Sequence, residues 1–344
     1  MNRTIVLLVA LAALTAGAAA QQFGPWSAPV NLGPVVNSAF NDQHPALSKD
    51  GLSLIFASDR PGGAGEFDLY VSQRDSLDSP WQAPQNITVL NTPFRDFAPN
   101  LTNDGHWLFF HSNRPGGCGG QDLWAAHRQN KRDDFGWEEP INLGCTLNTL
   151  VDDAGPTFFE DDDTGTLYLY FTRNDRPNTP NSDAFDIYVS TCTADLDSCN
   201  RQQLWSPGVL VPELSSPVRD TRTAIRRRDG LEMILASNRA GGVGSGDLWV
   251  STRASIQDPW SIPVNLDADI TNPIVNSTAF DGAPALSWDG QTLIFYSMRP
   301  GGLGGSDLYM STRAKLPHEA EGGDDARDYA AKDHDDRNHD DRGH

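Results

Sequence analysis

The chain has 344 residues and a formal net charge of −20 at pH 7, and 38% of its residues are hydrophobic. An acidic surface of this kind opposes binding to nucleic acids and to anionic membranes, because both require basic partners. The hydrophobic share is enough to form a buried core in one large domain or two ordinary ones. The composition therefore indicates a globular protein and leaves neutral glycans, basic proteins and divalent cations as partners.

Residues 1–20, MNRTIVLLVALAALTAGAAA, combine Arg3 with a short alanine-rich apolar run and an Ala-x-Ala ending before Gln21. These features are typical of a cleaved secretory signal peptide. A retained membrane anchor is the alternative, although no basic cluster follows the run. No later apolar run approaches about 18 residues, so we expect no membrane span in the mature chain. We predict a secreted or periplasmic protein.

One motif recurs five times in the rest of the chain, as a glycine-rich loop followed by a strand-like segment. The copy NRPGGCGGQDLW at 113–124 resembles a phosphate-binding loop, but no helix follows it, so a turn between strands is predicted. Asp-Gly turns and alternating apolar runs precede the loops. The copies begin at Ser58, Ser112, Thr172, Ser237 and Ser297. Each repeat is predicted to supply four strands, and no helical periodicity occurs between residues 23 and 316.

Five tryptophan-containing segments alternate with the five loops. They contain Trp26, Trp81, Trp137, Trp205 and Trp260. The first segment precedes the first loop and none follows the last, so segments and loops match only if the chain closes on itself. This order is typical of a β-propeller in which an N-terminal strand completes the last blade. We predict an all-β, five-bladed β-propeller of four-stranded antiparallel blades over residues 21–317, with the tryptophans packed between blades.

The repeat PALSxDGxxLIFxSxRPGGxGxxDLYxSxR, present near Pro45 and Pro284, resembles the TolB-type, WD-like β-propeller repeat of exported bacterial proteins. The resemblance covers about residues 26–316. It implies the propeller fold but leaves the function open, because propellers host binding, scaffolding and hydrolysis alike. The separate N-terminal domain of TolB itself has no counterpart here.

Four cysteines in an exported chain indicate disulfide bonds. Cys192 and Cys199 bracket a short polar loop, whereas Cys118 and Cys145 lie in one repeat. We therefore predict the pairs Cys118–Cys145 and Cys192–Cys199. Zinc binding is the weaker interpretation, because the sequence contains no Cys-x-x-Cys pair. Residues 318–344, rich in His and Asp, lack a core-forming pattern and are predicted to be a disordered acidic tail.

An aspartate begins each predicted inner strand. These residues are Asp42, Asp96, Asp153, Asp220 and Asp281. The blade order places them beside five arginines, namely Arg60, Arg114, Arg176, Arg239 and Arg299. Such pairs either stabilise the strand ends or form a carboxylate-lined funnel for a cation or polar ligand.

Departures from fivefold repetition are better indicators of function, because catalysis requires differently tuned groups. His44, Arg222 and the pair Asp152 and Asp153 depart from the repeat on the funnel edge. We predict that His44, Arg222 and the five inner-strand aspartates bind the ligand.

We predict that the protein is a monomeric, non-enzymatic module that binds a protein or glycan at the central funnel. One alternative is a glycoside hydrolase that uses Asp42, Asp96 and Asp153 as its carboxylates; another is a structural component of the cell envelope. No cofactor is required by these interpretations. Calcium is the cation that the acidic turn at 160–165 or the His/Asp-rich tail could bind.

Overall fold

The computed structural model describes residues 23–175, 185–269 and 271–316. The predicted signal peptide and the predicted tail lie outside these ranges. The chain divides into two units, of which Pro25–Ala314 contains all the strands given below. The other unit, Met1–Gly24 with Lys315–His344, is described at four residues, where Phe23 and Lys315 form an isolated antiparallel bridge.

Pro25–Ala314 folds into five four-stranded antiparallel sheets. Blade 1 contains β2 (Asp42–Leu47), β3 (Ser53–Ser58), β4 (Asp68–Gln73) and β5 (Gln85–Asn86). Blade 2 contains β6 (Asp96–Leu101), β7 (Trp107–Ser112), β8 (Asp122–His127) and β9 (Ile141–Asn142). Blade 3 contains β10 (Asp153–Asp161), β11 (Thr166–Arg173), β12 (Asp186–Cys192) and β13 (Val209–Leu210). Blade 4 contains β14 (Asp220–Ile225), β15 (Glu232–Ser237), β16 (Asp247–Thr252) and β17 (Val264–Asn265).

Blade 5 joins the two ends of the propeller. It contains β18 (Asp281–Leu286), β19 (Thr292–Ser297), β20 (Asp307–Thr312) and, as its outer strand, β1 (Val30–Asn31). Val30 pairs with Met310, and Asn31 pairs with Tyr309. The inner strands β2, β6, β10, β14 and β18 contact one another in a closed ring. The predicted five-bladed propeller, including its closure by an N-terminal strand, is confirmed.

The core consists of five apolar clusters, one between each pair of neighbouring blades. The alternation of apolar residues along each strand places side chains on both faces of a blade, and both faces are covered by the neighbours. Four clusters each include one of the repeated tryptophans; Trp205, for example, is 1% exposed between blades 2 and 3. The half-buried Trp81 packs against the fifth cluster. The prediction that these residues pack between blades is confirmed.

In blades 1, 2, 4 and 5 the glycine-rich loops connect the second and third strands, as predicted. In blade 1 the Asp68 carboxylate accepts a hydrogen bond of 2.6 Å from the Ala64 amide and so closes the loop. In blade 2 a side chain at Gly117 would clash with the Asp122 carboxylate, which explains why that position is glycine. These loop amides bind an aspartate of the same chain, so the glycine-rich sequence serves the turn.

Blade 3 contains the one helix of the described residues, α1 (Leu196–Arg201), which the sequence periodicity does not predict. Six residues are too few for an apolar repeat to show. Asp195 caps the helix by accepting a hydrogen bond from the Ser198 amide. The Cys192–Cys199 disulfide ties the helix to β12, and a second disulfide joins Cys118 to Cys145. No helix within the described ranges has the length and apolar character needed to cross a membrane.

Candidate active site

The five inner-strand aspartates are fully buried and bound to arginines. In each, an oxygen accepts a hydrogen bond of 2.5–2.6 Å from a guanidinium. The pairs are Asp42–Arg60, Asp96–Arg114, Asp153–Arg173, Asp220–Arg239 and Asp281–Arg299. In four blades the second oxygen accepts hydrogen bonds from a Ser or Thr four residues earlier. These carboxylates are therefore engaged in structure, and none of the five lines the central pocket.

One of the predicted arginine partners is wrong. Asp153 binds Arg173, because Arg173 lies on β11 directly opposite Asp153 in the strand pairing. In the other four blades a serine occupies that position and the arginine follows two residues later. The residue taken for the partner in the sequence, Arg176, lies outside the described ranges.

A cavity of about 140 Å³ lies at the centre of the ring, where the inner strands begin. Its basic lining residues are His44, Arg95, His111, Arg219 and Arg222. Its aromatic lining residues are Phe97, Phe185, Phe280 and Tyr296. Concave sites lined by aromatic rings with a few converging polar groups are the usual form of ligand sites. Of the residues predicted to bind a ligand, His44 and Arg222 line this cavity.

A β-bulge in every inner strand determines which side chains reach the cavity. The third residue of each inner strand has a positive φ, between 39° and 60°. These residues are His44, Ala98, Gly155, Arg222 and Ala283. A bulge redirects the side chain at its extra residue, and a non-glycine residue with positive φ is uncommon. Because three of the five side chains are small or absent, only His44 and Arg222 extend into the centre from this position.

Arg222 forms the floor of the cavity. Its Nη1 and Nη2 donate to the carbonyl oxygens of Ala98 and Pro99, at 2.8 and 2.5 Å, on the inner strand of blade 2. Burial lowers the pKa of Arg222 to about 9, so it remains charged at neutral pH. Below it, Arg227 donates to the carbonyl oxygens of Leu101 and Leu47. These two arginines cross-link the inner strands and fill the centre of the propeller.

His111 is buried and His44 is half-buried, and both are uncharged at neutral pH. Burial, followed by the nearby Arg222, lowers the pKa of His44 well below 6.5. Burial, Arg95 and Arg222 do the same to the pKa of His111. The Nδ1 of His111 accepts a hydrogen bond of 3.0 Å from the Gly155 amide, which places its proton on Nε2. The Nδ1 of His44 has no hydrogen-bond partner among the described residues.

Arg95 and Arg219 stand at the rim of the cavity. The guanidinium of Arg95 lies 4.1 Å from the Phe97 ring centroid, and that of Arg219 lies 5.1 Å from the Phe185 ring centroid. Burial lowers the pKa of Arg95, and the charges of Glu66 and Asp152 partly offset this effect. The charges of two carboxylates thus act on a guanidinium at the rim.

Glu66 and Asp152 break the fivefold repetition. Glu66 is exposed and precedes Asp68 by two residues, where the sequence has Gly, Ala or Ser in the other blades. Asp152 is half-buried, and its Oδ1 accepts a hydrogen bond of 2.9 Å from the Gln121 amide. Its four counterparts are Asn41, Arg95, Arg219 and Phe280. Variation at the residue before each inner-strand aspartate is the signal that could have identified Arg95 and Arg219 from the sequence.

No group of three or more His, Cys, Asp or Glu side chains that could hold a metal occurs within 23–175, 185–269 and 271–316. The acidic turn at 160–165 is closed by hydrogen bonds between its own residues. Asp161 accepts hydrogen bonds from the Asp163 amide and the Thr164 hydroxyl, at 3.1 and 2.7 Å. The tail, the other segment considered for calcium, lies outside the described residues.

No protein-family model matches the chain, and no curated protein matches it either. Several solved structures, however, are similar to the chain. An α-L-arabinofuranosidase from Lactobacillus brevis has a TM-score of 0.54 and 16% identity, covering 83% of this chain and 94% of its own. The chain shares the fold of this enzyme. The catalytic domain of a GH62 α-L-arabinofuranosidase from Coprinopsis cinerea has a TM-score of 0.52 and 11% identity, covering 84% and 96%.

A third similar structure is the GH43_1 enzyme from Xanthomonas citri, complexed with xylotriose. It has a TM-score of 0.53 and 16% identity, and the match covers 86% of this chain and 92% of the enzyme. These findings correct two predictions. The similar solved structures are two α-L-arabinofuranosidases and a GH43_1 enzyme complexed with xylotriose rather than TolB-type or WD-like proteins, so that resemblance is wrong. The same finding overturns the non-enzymatic module as the main hypothesis and favours the glycoside hydrolase alternative.

Proposed function

We propose that the protein is a carbohydrate-active enzyme that hydrolyses a glycosidic bond at the central cavity. The observation that carries this proposal is the asymmetry of the cavity within a repeated scaffold. Two neutral histidines and three arginines line it. The charges of two carboxylates outside the lining, Glu66 and Asp152, act on one of these arginines, Arg95. Differently placed titratable groups in a concave site are typical of catalysis. The similar solved structures that bind or act on glycans support the same class.

Hydrolysis of a glycosidic bond requires two carboxyl groups, one that protonates the leaving oxygen and one that activates water or attacks the sugar. The inner-strand aspartates are unsuitable, because their oxygens are buried against arginines. We assign the roles to Glu66 and Asp152. Asp152 is positioned by the Gln121 amide and suits the base or nucleophile, which needs a fixed geometry. Glu66 is exposed and suits the proton donor at the solvent side of the leaving group.

The test is the release of reducing ends from a panel of neutral and acidic oligosaccharides. We expect cleavage of at least one member by the full chain, and a loss of activity of about 100-fold or more in Glu66→Gln and in Asp152→Asn. Asp78→Asn is the matched control, because Asp78 is an exposed carboxylate on the connection between β4 and β5. It should retain full activity.

Two results would reject parts of this proposal. Full activity in both variants would remove Glu66 and Asp152 from the mechanism, whereas cleavage of no glycan by the unaltered chain would reject the enzymatic function. Circular dichroism of each variant checks that the propeller is folded.

The proposal includes export of the protein to the periplasm or outside the cell, where it acts as a monomer. Two disulfide bonds support this location, because such bonds persist in oxidising compartments. Residues 1–20 would serve as the signal peptide and residues 318–344 as a tail outside the propeller.

A further inference from the structure

The charge of the cavity is opposite to that of the protein. The chain carries a formal net charge of −20, yet three of the cavity-lining residues are arginines and no described lining residue is Asp or Glu. A basic concavity in an acidic protein focuses a local positive potential. Neutral sugars gain nothing from such a potential, so it indicates a ligand with negative charge.

Arg95 and Arg219 differ from the arginines that hold the fold. The five arginines bound to the inner-strand aspartates each make an ion pair of 2.5–2.6 Å. Within the part of the chain that the structure describes, neither Arg95 nor Arg219 makes an ion pair. Arg219 is one of the groups that lower the pKa of Arg95, after burial, so the two like charges act on each other. A bound anion would relieve this repulsion.

Polar atoms of the cavity residues are also unused. The Nε atoms of Arg95 and Arg222 and the Nδ1 of His44 are buried and have no hydrogen-bond partner among the described residues. Buried polar atoms are almost always satisfied, and exceptions call for a ligand or water. The cavity volume, about 140 Å³, admits several water molecules and hence a polar substituent of a sugar.

We propose that this cavity selects glycans that carry a carboxylate, such as a uronic acid residue, and holds that carboxylate through Arg95 and Arg219. The inference rests on the proposed function and names its substrate class. A guanidinium matches a carboxylate with two parallel hydrogen bonds, which suits a planar anion. The sugar ring then lies among the aromatic residues, and the glycosidic bond extends toward Glu66 and Asp152.

The test is calorimetric titration of the full chain with oligosaccharides of galacturonic acid, their methyl esters, and a sulfated oligosaccharide of the same length. We expect the free acid to bind at least about tenfold more tightly than the ester, because charge-assisted hydrogen bonds exceed neutral ones by that margin. Arg219→Gln should remove this preference, and Arg219→Lys should restore part of it. Arg219 is exposed, so its replacement leaves the core intact.

Arg132→Gln is the control, since Arg132 is an exposed arginine outside the cavity. It should leave the preference unchanged. Equal affinity for acid and ester, or an unchanged preference in Arg219→Gln, overturns the proposed selectivity while the glycan function stands. Tighter binding of the sulfated oligosaccharide overturns the assignment to carboxylates. Binding of none of these oligosaccharides overturns the selectivity, and the proposed function is then decided by the release of reducing ends from the neutral members of the panel.

Discussion

His44 and Arg222 show how a repeated scaffold acquires a specific site at the level of single residues. Both occupy the bulge position of an inner strand, with φ of 50° and 39°, which is an uncommon conformation for these residue types. Such conformations persist where surrounding structure enforces them and are frequent at functional sites. Here the bulge places an imidazole and a guanidinium at the centre, while the alanines and glycine at the equivalent positions leave room for a ligand.

His44 and His111 should make folding stability depend on pH. The pKa values of His44 and His111 in the folded protein lie well below 6.5, so below pH 6.5 the unfolded chain binds more protons than the folded one. Stability is then fully present above about pH 6.5 and falls as the pH decreases, by up to about 1.4 kcal/mol per pH unit for each histidine.

Urea unfolding at pH 7, 6 and 5 measures this dependence. The double variant His44→Asn with His111→Gln should lose less stability on acidification than the unaltered chain. Asn tolerates the positive φ at position 44, and Gln can still accept the Gly155 hydrogen bond. An identical loss of stability in both proteins would show that the two histidines do not titrate as described.

At the level of the structural element, blade 3 replaces a contact that the other blades share. In blade 2 the Arg128 Nε donates to the Gly105 carbonyl at 2.7 Å, and its guanidinium lies 4.3 Å from the Trp137 ring centroid. Blades 1, 4 and 5 have the same arrangement. In blade 3 the equivalent position is Cys192, which is bound to Cys199 on α1. The disulfide and the helix thus substitute for the arginine at this edge.

The two disulfides should stabilise the fold to different degrees, because they close chain segments of different length. Cys118 and Cys145 are separated by 27 positions, and Cys192 and Cys199 by 7. Restriction of the unfolded chain predicts about 4 kcal/mol for the first bond and about 2 kcal/mol for the second. Urea unfolding of the paired alanine variants measures both. A smaller loss for the Cys118–Cys145 pair than for the other pair would contradict this order.

How far the sequence predicts the molecule differs between fold and site. The fold follows from repetition, because five glycine-rich loops and five tryptophan segments can match only in a closed ring. Blade 3 departs from the repeat, so the partner of Asp153 and the helix α1 escape the pattern. The site depends on which side chains the bulges and the residues before the inner-strand aspartates bring together. That convergence brings together residues as distant along the chain as Arg95 and Arg219, which a comparison of the position before each inner-strand aspartate across the five repeats could have found, whereas the spacing within one repeat could not.

At the level of the whole molecule, the charged residues that hold the blades together differ from the charged residues that the proposed function assigns to the substrate. Fivefold Asp–Arg pairs bind the start of each inner strand to its own blade, while Arg222 and Arg227 join blades across the centre. The rigid surroundings suit catalysis, which requires groups held in place before the substrate arrives. Arg95 and Arg219 line the cavity and make no ion pair in the described residues, and in the proposed function they form the face that meets the substrate.

The most direct test of this account is a crystal structure of the Asp152→Asn variant with trigalacturonate bound, with xylotriose as the neutral comparison. We predict that trigalacturonate occupies the central cavity, with a carboxylate within hydrogen-bonding distance of Arg95 or Arg219 and a glycosidic bond between Glu66 and residue 152. An empty cavity at saturating trigalacturonate and xylotriose, or sugar bound only at the outer strands, would contradict the central claim.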